Sequence, residues 1–418
     1  MMEMKRYRIG QIVNTISRTH EFDKEYLFAI NTSDVDNGVM GQGTLTPINE
    51  LKGQFKKTIQ KDDILFSEIR PANRRFARVT IDDCHDFVVS TKLMVLRKFN
   101  QDVDLDYFYY CLTNQSFLGI LQRRAENRIG SFPQITFDLL SEYSFPIPTL
   151  SEQKKIANII SSLDSKISLN RAINRNLEAM AKQLYDYWFL QFDFPDENGK
   201  PYKSSGGKMV WNEVLKREIP EGWEVKSVND VSSICRGVSY KPNDLQESGV
   251  LILRGNNIEN NHVVYDNNTA YLLPDLISDE QKIKKHDIII TMSSGSKEHI
   301  GKCAMFQSDS EHSFGAFLSK ITPDNDCPYF LFLYLISQYF KQKIKSICNG
   351  TGINNLTNQT FDEVLFAFPE QRVLTEFEKV VQPIFDSIGI NETEITSLTH
   401  KRDELLPLLM NGQVEVGN

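Results

Sequence analysis

The sequence predicts an α+β protein written twice: two pseudo-repeated globular α/β domains, each followed by a long helix. Three observations carry this prediction. Fragments of the first half recur in the second at a nearly constant offset. Each half closes on a Phe-Pro, Phe145-Pro146 and Phe368-Pro369. Beyond each Phe-Pro lies a run whose apolar residues repeat with a period of roughly 3.5, the spacing of a helix with one buried seam.

The repeat is legible in short fragments. Tyr7-Arg8-Ile9-Gly10-Gln11-Ile12 recurs as Trp223-Glu224-Val225-Lys226-Ser227-Val228, in each case an aromatic residue opening a strand-like alternation. Asp63-Ile64-Leu65-Phe66-Ser67 recurs as Asp287-Ile288-Ile289-Ile290-Thr291, and Thr136-Phe137-Asp138 as Thr360-Phe361-Asp362, both at an offset of 224. Between these markers, β-branched and aromatic runs such as Phe87-Val88-Val89, Leu93 to Leu96 and Val250 to Leu253 alternate with turn residues. A helix is expected from Leu105 to Gln122 and another from Tyr329 to Ile347. Each half therefore reads as an α+β domain with mixed or antiparallel sheet.

The two seams match position for position. In the first helix Ile156, Ile160, Leu163, Ile167, Asn170, Asn174, Leu177, Ala181, Leu184 and Trp188 step alternately by four and three. In the second, Phe377, Val381, Ile384, Ile388, Asn391, Ile395, Leu398, Arg402, Leu405 and Leu409 do the same, each 221 positions after its counterpart. Asn170 and Asn391 occupy equivalent seam positions, where an amide is unfavourable unless it finds a partner and serves best to fix register. Thr149 and Glu152 have the spacing of a capping box. Pro383 and Gly389 are expected to weaken or kink the second helix. A helix from Ser151 to Phe189 would be about 58 Å long. Periodicity alone leaves open whether the two helices pair within one chain or the chain self-associates.

Composition narrows the class without fixing the function. At 418 residues, 40% hydrophobic and 24% charged, the chain has the make-up of an ordinary globular protein of several domains. It holds no apolar run of membrane-spanning length and no apolar stretch behind the basic residues of MMEMKRYRIG, so a cytoplasmic location and no membrane contact are expected. Six cysteines are scattered without metal-ligand or disulfide spacing, so no metal site is expected. The sequence has no methyltransferase tetrapeptide, no dinucleotide fingerprint and no Walker A motif, and its seven histidines form no catalytic constellation. No catalytic residue is assigned. A net charge of −8 speaks against nucleic-acid binding by the surface as a whole, so any such binding must be local.

Local patches of the required kind exist. Arg70, Arg74, Arg75 and Arg78 lie between Ile69 and Ile81, a stretch without acidic residues. Arg123, Arg124 and Arg128 follow the first helix beside a turn holding Ser131 and Gln134. In the second half the corresponding loops are rich in small polar residues: Ser293, Ser294, Ser296 and Lys297, then Thr351, Asn354 and Asn355, with Arg236 as a further cation. Guanidinium and amide groups read purine edges in the major groove, and hydroxyl groups serve bases or phosphates.

From Gln153 to Glu224 the chain resembles, at close to signature level, the specificity subunits of type I restriction-modification enzymes. The resemblance rests on Ser151-Glu152-Gln153-Lys154-Lys155-Ile156-Ala157, Trp188-Phe189, Phe194-Pro195, Gly199-Lys200-Pro201-Tyr202-Lys203-Ser204-Ser205-Gly206-Gly207 and Glu218-Ile219-Pro220-Glu221-Gly222-Trp223. It departs at Val214 to Arg217 and at the opening of the second helix, Glu370 to Leu374. The resemblance implies target recognition domains at 1–150 and 222–369, a central spacer helix at 151–190, a linker at 191–221 and a C-terminal spacer helix at 370–418. It implies further that the helices form an antiparallel coiled coil within one chain and that each domain reads half of a bipartite, asymmetric site on double-stranded DNA. The implied partners are two methyltransferase subunits, which bind S-adenosylmethionine and methylate adenine, and optionally two restriction subunits using ATP and Mg. No cofactor is then bound by this chain. The competing readings are a coiled-coil scaffold that does not bind DNA, against which the arginine-bearing loops count, and a self-contained nuclease or methylase, against which the missing motifs count.

Overall fold

The computed structural model describes residues 4–51, 53–127, 133–265, 269–296, 298–324, 326–347, 354–410 and 412–413. The chain divides into two compact units, residues 1–168 with 396–418, and residues 169–395. Each unit thus holds one globular domain and part of both long helices.

In the first unit, Val13–Thr15, Leu93–Lys98, Ile64–Ser67 and Phe76–Arg78 form an antiparallel sheet in that order. A second sheet orders Thr44–Pro47, Tyr26–Ile30, Phe87–Ser90 and Phe55–Lys57, with a parallel pairing of Phe87–Ser90 to Tyr26–Ile30. The strand period of two divides the first sheet's side chains between two cores. Ile64, Phe66, Met94 and Leu96 pack with the helices, while Leu65, Leu93 and Val95 pack on the opposite face. This explains why every residue of Ile64–Ser67 is buried.

The second unit repeats the plan. Ser232–Arg236, Leu318–Pro323, Ile288–Thr291 and Cys303–Met305 take the same order, and Ile288 and Ile290 face one core while Ile289 faces the other. Tyr271–Leu272, Val250–Leu253 and Ser313–Phe314 form the second sheet, again with one parallel pair. The strand carrying the phenylalanine of each closing Phe-Pro pairs back to the domain's opening strand: Ser144–Ile147 with Lys5–Arg8, and Leu365–Phe368 with Glu224–Ser227. The mixed α+β domain expected from the sequence is the one observed, twice.

The structure corrects both expected domain helices. Leu105 to Gln122 is two helices, Leu105–Thr113 and Gln115–Glu126, and Tyr329 to Ile347 is likewise Pro328–Ile336 and Gln338–Ile347. Asn114 takes an extended ψ of 134° and its side chain accepts hydrogen bonds from the amides of Ser116 and Phe117. Ser337 has a ψ of 154°, and its Oγ accepts from the Phe340 amide. A short polar side chain that can cap the next turn favours a break over a continuous helix.

The long helices span Leu150–Tyr185, followed by a π-turn over Asp186–Leu190, and Gln371–Met410. The Thr149 amide donates to Glu152 Oε2 at 3.0 Å and the Glu152 amide donates to Thr149 Oγ1 at 3.4 Å, so the capping box forms. In the first unit Ile156 and Ile160 share a core with Leu405, Leu406 and Leu409, and Arg402 bonds Asp164 at 2.9 Å. In the second unit Asn170 Nδ2 donates to Glu394 Oε2 at 2.9 Å and Asn391 Nδ2 to Asn174 Oδ1 at 2.7 Å. Partner numbers fall on one helix as they rise on the other, so the segments run antiparallel within each unit. Ile156, Ile160, Ile167, Asn170, Phe377, Val381, Ile384, Ile388 and Leu398 are buried. Leu163, Leu177, Leu184, Asn391, Ile395 and Leu405 are half-buried.

Pro383 and Gly389 do not interrupt the second helix, which is continuous across both. A Cβ on Gly389 would lie 3.1 Å from the Gln307 side chain, so the glycine serves close packing. About three turns earlier on the helix, Glu378 accepts from the amides of Phe330 at 2.8 Å and Tyr329 at 3.3 Å. It thereby caps a helix whose own N-cap, Cys327, supplies no side-chain bond. In the first unit the equivalent cap is Asp104, bonded to the Tyr107 amide. Burial pushes the Glu378 carboxyl up to about 7.

Candidate nucleic-acid interface

Strand direction gathers the candidate loops at one end of each four-stranded sheet. In the first unit the chain leaves Ile64–Ser67, turns through residues 68–75 and returns as Phe76–Arg78. At the same end Leu93–Lys98 begins and Val13–Thr15 stops. The 68–75 loop is tightly held. The Arg70 amide donates to Pro133 O, Ile135 N to Glu68 O, and Gln134 Nε2 to Glu68 Oε2 at 2.7 Å. The Ala72 amide bonds Gln122 Oε1 at 3.1 Å, tying the loop to the helix that ends in Arg123 and Arg124. Arg70 and Arg74 both adopt left-handed backbone, at φ 47° and 55°, a conformation uncommon for such side chains and frequent at functional loops.

The arginines separate into three groups. Arg70, Arg123 and Arg124 are exposed at the loop end. Arg75 lies half-buried there, bonded to Val35 O and to Asp36 at 3.1 Å, and Arg74 is half-buried with its Nε lacking a hydrogen bond. Burial, then neighbouring Arg402, lowers the affinity of the Arg74 guanidinium for its proton. Arg78 sits at the opposite end of the sheet, across from Ile64, bonded to Asp62 and Asp106. It is therefore not brought together with the others. Those carboxylates lie outside the acid-free stretch in sequence but fold back onto it.

The second unit has the same layout with different chemistry. Ser293–Ser294 pairs antiparallel with Asn354–Asn355, placing Ser293 opposite Asn355. The first unit holds the equivalent bridge between Ile69 and Gln134. Arg236 ends its strand opposite Ser319 at this same sheet end, and Ser296 is exposed beside the ribbon. Lys345 on the neighbouring helix bonds Glu298 at 3.0 Å. Arg128, Ser131, Lys297 and Thr351 lie outside the described residues, as does the Asn354 side chain.

Two residues at these ends escaped the sequence reading. The Lys92 carbonyl accepts from the Glu68 amide at 3.1 Å, and the Phe317 carbonyl accepts from the Met292 amide at 2.9 Å. These are the same bond in the two repeats. Lys92 is exposed and Phe317 is 68% exposed. The available signal was the repeat itself, because the Asp63/Asp287 offset carried one residue further aligns the two.

Among the described residues no cluster of His, Cys, Asp and Glu could hold a metal ion, and no helix is long and apolar enough to cross a membrane. Two copies of one domain, each presenting guanidinium, amide and hydroxyl groups on loops at the same sheet end, have the layout of a two-headed nucleic-acid reader. The family model described as the type I restriction modification DNA specificity domain matches residues 1–179 and 220–400, and the chain belongs to that family. It is similar to the HindI specificity subunit of Haemophilus influenzae, 30% identical over an alignment of 464 residues that covers 99% of this chain and 100% of that one. It is also similar to the EcoKI specificity subunit of Escherichia coli, 31% identical over 207 residues, 47% of this chain and 44% of the relative. The crystal structure of a type I S subunit from M. genitalium shares the fold, with a TM-score of 0.54 at 18% identity over 98% of this chain and 96% of that one.

Proposed function

We propose that this chain is the non-catalytic DNA-specificity subunit of a type I restriction-modification complex. Each globular domain reads one half of a bipartite, asymmetric site on double-stranded DNA. The observation that carries the reading is the equivalence of the two sheet ends, which share a backbone framework and differ in side chains. Arginine dominates one end, and serine and asparagine the other. Two methyltransferase subunits holding S-adenosylmethionine dock about the long helices and methylate adenine, and two restriction subunits using ATP and Mg join for cleavage. Such a complex works in the cytoplasm.

The purified chain alone is expected to modify no DNA, and the chain with its cognate methyltransferase to methylate adenine at one bipartite sequence. Mapping modified adenines across a genome reads the site directly; a contiguous motif, or none, would sink the proposal. Exchanging residues 1–150 for those of a relative is expected to change one half of the motif and spare the other. Alteration of both halves would refute the assignment of one domain to each half.

Arg123 and Arg124 project from the last turn of a helix at the loop end, where phosphate contact is the natural role of an exposed cation. Replacing either by glutamine is expected to reduce the slope of log affinity against log salt by about 1 and to weaken all sequences alike. A change in sequence preference instead would make that arginine a base reader.

A further inference from the structure

We propose that Phe317 reads DNA directly, through apolar contact with the C5 methyl group of a thymine in the half-site of the second domain. This rests on the DNA-reading function proposed above and names a specificity residue within it.

Phe317 lies in an apolar run whose neighbours Phe314 and Leu318 are both 0% exposed, yet it is itself 68% exposed. Single exposed hydrophobic residues are ordinary on protein surfaces, so position decides their meaning. This one lies at the sheet end that carries Arg236, Ser293 and Ser294. Its carbonyl accepts from both the Met292 and Ser293 amides, at 2.9 and 3.2 Å. The turn that displays it is fixed from the other side as well. Leu318 N donates to Gly315 O at 2.8 Å, and Gly237 N donates to Leu318 O at 3.2 Å. Gly237 approaches so closely that a Cβ there would sit 2.2 Å from the Gly315 carbonyl oxygen. The backbone therefore fixes the turn from which the exposed ring projects, among groups suited to base edges and phosphates.

The first domain sharpens the point, since the same backbone position there carries exposed Lys92. One repeat thus displays a cation suited to phosphate, the other a ring suited to the one apolar group that the major groove offers. A difference of this kind is what distinguishes two unlike half-sites built on one framework.

The test uses the complete chain with its cognate methyltransferase, on duplexes bearing the mapped site. Each thymine of the half-site assigned to the second domain is replaced in turn by deoxyuridine, which removes only the methyl group. One such replacement is expected to weaken wild-type binding by about 3- to 10-fold. Phe317→Ala is expected to weaken binding to the thymine duplex by a similar factor and to abolish the response to deoxyuridine. Phe317→Leu should retain most of that response. Full affinity in Phe317→Ala, no sensitive thymine in the wild type, or a deoxyuridine effect that survives in Phe317→Ala would each overturn the proposal. Absence of any bipartite site for the wild-type complex would instead overturn the DNA-reading function itself.

Discussion

Asp287→Ala is expected to destabilise the second unit by about 3–5 kcal/mol, the range observed when one partner of a buried ion pair is removed. Asp287 is 2% exposed and Lys320 7%. Their charged atoms are 3.1 Å apart, and the carboxylate also accepts from Thr322 Oγ1 at 2.5 Å and the Lys284 amide at 2.7 Å. Without Asp287 the Lys320 ammonium keeps, among the described residues, only the Lys282 carbonyl at 2.8 Å. The equivalent change in the first unit, Asp63→Ala, should cost less, about 1–3 kcal/mol, because the partner Arg97 side chain is 31% exposed and can return to water. Denaturant unfolding of both variants, with Asp287→Ala/Lys320→Met as the rescue, checks the ordering. Equal losses in the two units, or no recovery in the double variant, would contradict it.

His262 gives the clearest pH dependence. An Asn-Asn turn with φ of 50° and 65° at Asn260 and Asn261 closes the hairpin of Ile258–Glu259 and His262–Val263, as a tight two-residue turn requires. It brings the imidazole between Glu178 at 2.9 Å and Glu392 at 2.8 Å, one carboxylate from each long helix. The close Glu178 carboxylate, and then the hydrogen bond to Glu392, hold the protonated form, raising the group to about 10 against the opposing cost of burial. Tyr265 also adjoins Glu392 and is raised chiefly by burial, so it stays neutral. A raised base stabilises the fold fully below its ordinary value near 6.5 and loses that contribution as pH climbs through 10. With the imidazole 34% and Glu392 42% exposed, solvent screening reduces the effect to about 1–2 kcal/mol. Between pH 6.5 and 10 the wild type should therefore lose more stability than His262→Gln. Parallel curves for the two proteins would show that the hairpin is not held by charge.

The seam spacing located both long helices and their buried faces because a repeat near 3.5 residues leaves a long, regular trace in one dimension. The domain helices misled at Asn114 and Ser337, where a single capping side chain outweighs the flanking apolar pattern. Arg78 was legible as a cation but not as a partner of Asp62 and Asp106, since only the fold brings those carboxylates to it. Phe317 was hidden in an apolar run, because only the turn between Ser313–Phe314 and Leu318–Pro323 lifts it out of the core to the surface. Composition marks which residues can touch a ligand; sheet direction decides which of them stand at the same end.

The first unit is assembled from two stretches of chain with the whole of the second unit between them. Its core needs Leu406, Leu409 and Met410 beside Ile156 and Ile160. During synthesis the domain made first is therefore the one finished last. Its helix must keep an apolar stripe uncovered while the second unit emerges and folds, an interval in which that stripe is open to aggregation or to capture by a neighbouring nascent chain.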